Sequence, residues 1–106
     1  IGTVRGKTMV RHIILWQIKD DADKASVKKN AKEALEGLAG KIDGLLSVKV
    51  HINGLESSNA DMMLETSFTD EAALKGYSVH PLHVKAADTY VRPFTKLRVC
   101  LDFEDQ

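Results

Sequence analysis

Hydrophobic and polar positions along this chain change period several times, and each change marks the boundary of an element. Over residues 10–19, VRHIILWQIK, alternate positions put Val10, His12, Ile14, Trp16 and Ile18 on one side and Arg11, Ile13, Leu15, Gln17 and Lys19 on the other. That period of two predicts a β-strand, and large apolar groups on both sides predict burial of both faces. Acidic residues in DDADKAS end it. From Lys24 to Ile42 the spacing lengthens: Val27, Ala31, Ala34, Leu35, Leu38 and Ile42 fall on one stripe, as in an amphipathic helix lying on a sheet. Gly37 and Gly40 weaken its last turns, and Asp43-Gly44 stops it.

Alternation returns at 45–52, with Leu46, Val48, Val50 and Ile52 on one face, and at 62–68, with Met62, Leu64, Thr66 and Phe68 on one face. The polar run NGLESSNAD joins these strands. A short helix follows, with Thr69 as its expected N-cap and acids in its first turn, where the helix dipole favours them. Pro81 suits the first position of another helix, to about residue 91, because its missing N–H has no partner to lose there. Pro93 is expected to end that helix by pushing Arg92 into extended geometry. The last strand, 95–103, has Leu97, Val99, Leu101 and Phe103 on its expected core face and Lys96, Arg98, Cys100 and Asp102 on the other.

The order strand, helix, strand, strand, helical pieces, strand predicts an α+β fold, the βαββαβ ferredoxin-like sandwich, with helices on one face of an antiparallel sheet. The far face would then carry Ile13 and Leu15 among Lys49, His51, Glu65, Lys96, Arg98 and Asp102. Left in water, the apolar pair would be an exposed patch. Against a twofold copy of itself, it would be buried and opposite charges would pair across the interface, so a homodimer is expected.

Composition narrows the functions available. At 106 residues the chain suits one small domain, which gains from a partner that covers more of its surface. Fifteen basic and fifteen acidic side chains cancel, which argues against nucleic-acid binding, and no apolar run or basic amphipathic stretch suits a membrane. The single cysteine, Cys100, supplies neither a disulfide framework nor a cysteine metal cluster and points to the cytoplasm; it is read as a passive thiol. Met9 stands directly before the first strand, so residues 1–8 are read as an upstream tail.

Chemistry concentrates in the histidines. His12 shares its strand face with Ile14 and Trp16, and His83 lies on the first turn of its helix with Ala87 and Tyr90 at i+4 and i+7. With Tyr77 they make a candidate catalytic group around a small pocket lined by Ile14, Trp16, Ala87 and Tyr90. Two imidazoles and a phenol move protons at neutral pH. His80, just before Pro81, reads as a capping residue. The His80–His83 pair is poorly oriented for a metal, so neither metal nor cofactor is expected.

The stretches MVRHIILWQIKDD (9–21) and GYSVHPLHVKAADTYVRPF (76–94) together resemble the stress-responsive A/B barrel (Dabb) family, over Met9 to about Glu104. The resemblance implies a subunit that pairs through its sheet into a dimeric α+β barrel. In a plant member, olivetolic acid cyclase, two catalytic histidines match His12 and His83 and a pocket tyrosine matches Tyr77. That enzyme's further tyrosine, on its first helix, has no counterpart in NAKEALEGLAG. The resemblance therefore implies binding of a small organic ligand with cyclase- or lyase-like acid/base chemistry, without polyketide specificity. Alternatives are a non-catalytic assembly protein and, by fold analogy, a cofactor-independent monooxygenase.

Overall fold

The computed structural model describes residues 9–105; the proposed tail at 1–8 lies outside the described residues. The elements are β1 (Met9–Ile18), α1 (Lys24–Glu36), β2 (Leu45–His51), β3 (Met62–Phe68), α2 (Glu71–Val79), α3 (Pro81–Tyr90) and β4 (Thr95–Asp105). The four strands form one antiparallel sheet in the order β2-β3-β1-β4, with β1 inside it, as the ferredoxin-like reading requires. Ile14, Trp16, Ile18, Val50, Leu64 and Phe68 from the sheet meet Val27, Ala31, Leu35 and Leu74 from the helices in one buried core.

Local details depart from the sequence reading at five points. The first helix ends at Glu36, because the Gly37 cap and the left-handed Gly40 unwind it; Leu38 and Ile42 keep the apolar rhythm and stay buried in the turns that follow. Gly44 is required as glycine: its φ is +83°, and a Cβ there would lie 2.4 Å from the Ala73 Cβ. A register shift between Leu45 and Ser47 turns Leu45 into the core and Leu46 outward, against the expected grouping of Leu46 with Val50. Asp70, not Thr69, caps α2, accepting from the Ala73 N–H at 2.8 Å. Arg92 enters a 3₁₀ turn with Pro93 and Phe94 instead of extended geometry, because the Phe94 N–H finds the Val91 carbonyl at 3.1 Å.

The fifth and largest correction concerns β4. Its register on β1 sets Asp102 opposite His12, Cys100 opposite Ile14 and Arg98 opposite Trp16. Since strand neighbours point to the same side, Arg98, Cys100 and Asp102 stand on the helix side of the sheet. Leu97, Val99, Leu101 and Phe103 face away, beside Ile13 and Leu15, and are exposed. The far face is thus apolar along β1 and β4. Its charges pair within it: Arg11 bonds Asp105 at 2.8 Å and Glu65 at 3.4 Å, and His51 bonds Glu65 at 2.9 Å.

The β2 edge is closed by side chains of α1. Lys32 Nζ donates to the Val50 carbonyl at 2.7 Å, and the Val50 N–H donates to Glu36 Oε2 at 2.9 Å. This satisfies an edge-strand peptide that would otherwise be open to pairing. Burial acts to raise the Glu36 carboxyl, but Lys32 and the Val50 N–H outweigh it and hold it below the usual carboxylate range. A depressed carboxyl contributes stability above its unfolded pKa that is lost as pH falls through the folded value. Glu36→Gln should therefore lower stability at pH 7 by about 1 kcal/mol and flatten the acid limb of the stability curve, read by chemical denaturation across pH; an unchanged acid limb would refute the assignment.

Candidate functional site

The site grows from the middle of β1. His12 is only 6% exposed, and its backbone carbonyl accepts from Thr66 Oγ1 at 2.7 Å. Its Nδ1 is bonded to Asp102 Oδ1, which stands opposite on β4. A carboxylate accepts, so Nδ1 carries a proton, and a neutral ring so held has its lone pair on Nε2. The imidazole meets the edges of Phe68 and Tyr77 with ring centroids 6.5 and 6.3 Å away.

Tyr77 comes from the last turn of α2 and is fully buried. Its ring contacts both imidazoles, with its centroid 4.2 Å from that of His83. Its hydroxyl is buried without a hydrogen-bond partner among the described residues. Burial pushes its pKa up to about 12, so it remains a donor throughout the neutral range.

His83 is placed by the start of α3. His80 caps that helix, its Nδ1 accepting from the Leu82 N–H at 3.1 Å, and Pro81 follows at the first position. This fixes the first turn and sets His83 against Tyr77. His83 Nδ1 donates to the Ser78 carbonyl at 3.3 Å, which again leaves Nε2 as the basic nitrogen. Burial lowers the His83 pKa; the Ser78 carbonyl works against this, while Arg92, His12 and Arg98 add to the lowering.

A hollow of about 60 Å³ opens beside His83, lined by Trp16, Leu35, Leu64, Ala87, Val91, Thr95, Arg92 and Arg98. Of the expected pocket residues, Trp16 and Ala87 line it. Ile14 lies in the core on the same strand face. Tyr90 does not line it: this ring is 41% exposed and stands beside Asn30, Glu33 and Ala34 of α1. Seven residues advance a helix by about 10.5 Å, which carries Tyr90 past the hollow, and Val91 takes the inward place. Nor do the imidazoles share this hollow: His83 lines it and His12 does not. A separate cleft is lined by Val10, Leu74, Ser78 and Asp102.

Sequence reasoning missed Asp102, Arg98 and the closeness of Cys100 to His12, whose Sγ and Nδ1 are 3.6 Å apart. All three lie on β4, whose faces were read the wrong way round. The signal available was alternation at 96–102, four polar positions in register with one another; only the pairing with β1 says which way they point.

Comparison with known proteins places this geometry in a family. The model of the stress responsive A/B barrel domain, Dabb, matches residues 10–105, and the chain belongs to that family. No curated protein matches the sequence. Among solved structures, a dimeric ferredoxin-like protein of unknown function from Bacteroides fragilis is similar with 31% identity and a TM-score of 0.84, over 92% of this chain and 96% of that one. A dimeric ferredoxin-like protein from Thermobifida fusca shows 23% identity and a TM-score of 0.82, over 97% and 96%. The hydroxynitrile lyase of Passiflora edulis shares the fold at 15% identity and a TM-score of 0.74, over 94% and 95%.

The His83 environment has a direct readout. Its ring protons should titrate with a midpoint below the ordinary histidine value of about 6.5. A depressed histidine means the unfolded chain binds the extra proton first, so stability falls as pH drops from the ordinary value toward the folded one. His83→Gln should remove that slope. An NMR midpoint at or above the ordinary value would contradict the placement.

Proposed function

We propose that this member of the stress-responsive A/B barrel family is one subunit of a homodimer that binds a small organic molecule beside His83 and moves a proton on it. The observation that carries the chemical half is the Tyr77 hydroxyl, buried without a partner among the described residues on a ring that contacts both His12 and His83. An unpaired buried hydroxyl costs about 1–3 kcal/mol, and a ligand oxygen is the partner that would satisfy it.

In this reading His83 is the general base. Burial favours its neutral form, and the Ser78 carbonyl holds the Nδ1 proton so that Nε2 is the accepting atom. It takes a proton from a hydroxyl, or from a carbon next to a carbonyl. Tyr77 stays protonated and donates to the oxygen on which negative charge develops. His12, its ring held by Asp102, is the second station for the proton. Arg92 and Arg98 at the hollow favour a ligand with a carboxylate or enolate end, and Trp16, Leu64 and Val91 favour an apolar remainder. The reaction class is addition to or elimination from a carbonyl compound, in the manner of a cyclase or lyase. The small hollow favours a second reading, a non-catalytic assembly protein in which the three rings are packing groups.

The dimer rests on the far face. Leu15, Leu97, Val99, Leu101 and Phe103 form an exposed apolar band along β1 and β4, which a second copy would cover. The relatives from B. fragilis and T. fusca, described as dimeric, support this. The lone thiol supports a cytoplasmic location.

Two experiments follow. With a panel of small aldehydes, β-keto acids and hydroxynitriles, His83→Ala should lower turnover by about 10²–10⁴-fold. Tyr77→Phe should impair turnover while leaving the melting temperature unchanged or raised, since the lost hydroxyl has no partner among the described residues to orphan. If no compound on the panel binds and Tyr77→Phe is markedly destabilised, the packing reading stands instead. Separately, the wild type should sediment as a dimer and Leu101→Asp as a folded monomer; a monomeric wild type would end the dimer proposal.

A further inference from the structure

On the helix side of β4, three potential ligand atoms converge, two of them on the His12–Asp102 pair that the proposed acid/base reading also uses. His12 Nδ1, Cys100 Sγ and Asp102 Oδ1 lie within 4.8 Å of one another. Cys100 Sγ is 3.6 Å from His12 Nδ1 and 3.4 Å from Asp102 Oδ1. We propose that these three side chains bind a divalent transition-metal ion of the zinc class.

Geometry supports this over a catalytic relay. In a thiol–imidazole–carboxylate relay, the thiol and the carboxylate engage opposite ring nitrogens. Here both approach the same nitrogen, Nδ1, so the three atoms surround a common point. A tetrahedral zinc ion with bonds of about 2.0–2.3 Å holds its ligands roughly 3.3–3.6 Å apart. The two distances from sulfur already match; binding requires the His12–Asp102 hydrogen bond to open.

The chemistry of the set is also consistent. Neutral imidazole, thiolate and carboxylate together balance a double positive charge and suit a borderline-soft ion. Cys100 releases its proton, and the single His12 ring proton moves from Nδ1 to Nε2, which leaves the Nδ1 lone pair for the ion. Burial raises the Cys100 thiol, and Asp102 raises it further through hydrogen bonding and charge; Arg98 opposes both. A metal ion in the cluster supplies the positive charge that stabilises the thiolate. Arg98 is the nearby cation that works against the ion. Cys100 and Asp102 are exposed while His12 is buried, so the fourth position faces solvent, as in sites that exchange a ligand. The cluster is on the opposite side of the sheet from the proposed dimer face.

The sequence supplies a clean reporter, because Cys100 is the only cysteine in the chain. Chelator-stripped protein is titrated anaerobically with Co²⁺, and the near-ultraviolet thiolate-to-cobalt charge-transfer band is followed. The expected result is a band that saturates at one ion per chain, is bleached by Zn²⁺, and is absent in Cys100→Ser. Zn²⁺ should raise the melting temperature of the wild type but not of Cys100→Ser, a conservative change at an exposed edge. Absence of the band in folded wild type, or cobalt affinity unaltered by Cys100→Ser, overturns the site. Neither readout uses a substrate, so its failure leaves the acid/base reading untouched, and the reverse.

Discussion

The antiparallel register of β4 on β1 is the constraint from which both faces of this molecule follow. Pairing His12 with Asp102 fixes Cys100 opposite Ile14 and Arg98 opposite Trp16, so every polar group of the strand interior is delivered to the side that carries the histidine. The same register puts Val99 beside Leu15 and Leu101 beside Ile13 on the other side. Because side chains alternate, slipping by one residue would exchange the two sets completely. The imidazole would then lose its carboxylate, and the apolar band would turn toward the helices.

Why the polar side faces the helices, against ordinary expectation, is explained by how little of the sheet they cover. The helix α1 packs on β2 and α3, and α2 reaches β1, β2 and β3; no helix makes an extensive contact with β4. Its helix side is therefore open to water, and Lys96, Arg98, Cys100 and Asp102 are what a wet surface accepts. Lys96 is held there by Asp20 at 2.8 Å. The apolar residues go to the opposite side, where none of the described residues covers them.

That inversion is what alternation alone could not reveal. The two-residue period at 95–103 is plain, and so is the existence of a polar and an apolar face. The usual inference sends the apolar face to the core, which holds for β1 and β3, where Ile14, Trp16, Leu64 and Phe68 are buried. It fails for an uncovered edge strand. The histidine half of the site was legible because proline geometry is local: His80 and Pro81 determine the first turn of α3 and so the position of His83. Asp102 was not legible, since its role depends on a partner 90 residues away. The Leu46 bulge and the Asp70 cap escaped for a smaller reason, one residue of phase at the start of an element.

Tyr77 joins these two levels of the structure. Its ring is needed for packing, closing the space between Phe68, at a centroid distance of 5.0 Å, and His83 at 4.2 Å. Phenylalanine would meet that need, and the hydroxyl adds only an unsatisfied polar atom to the core. A local rule broken in the interior, with no compensating group among the described residues, is the feature on which the proposed ligand contact rests. Its ring contacts both a helix-borne imidazole whose neutral form burial favours and a strand-borne one held by its carboxylate. In the proposed reading, proton transfer is the chemistry that uses all three, and it requires that both the register of β4 and the first turn of α3 be correct at once.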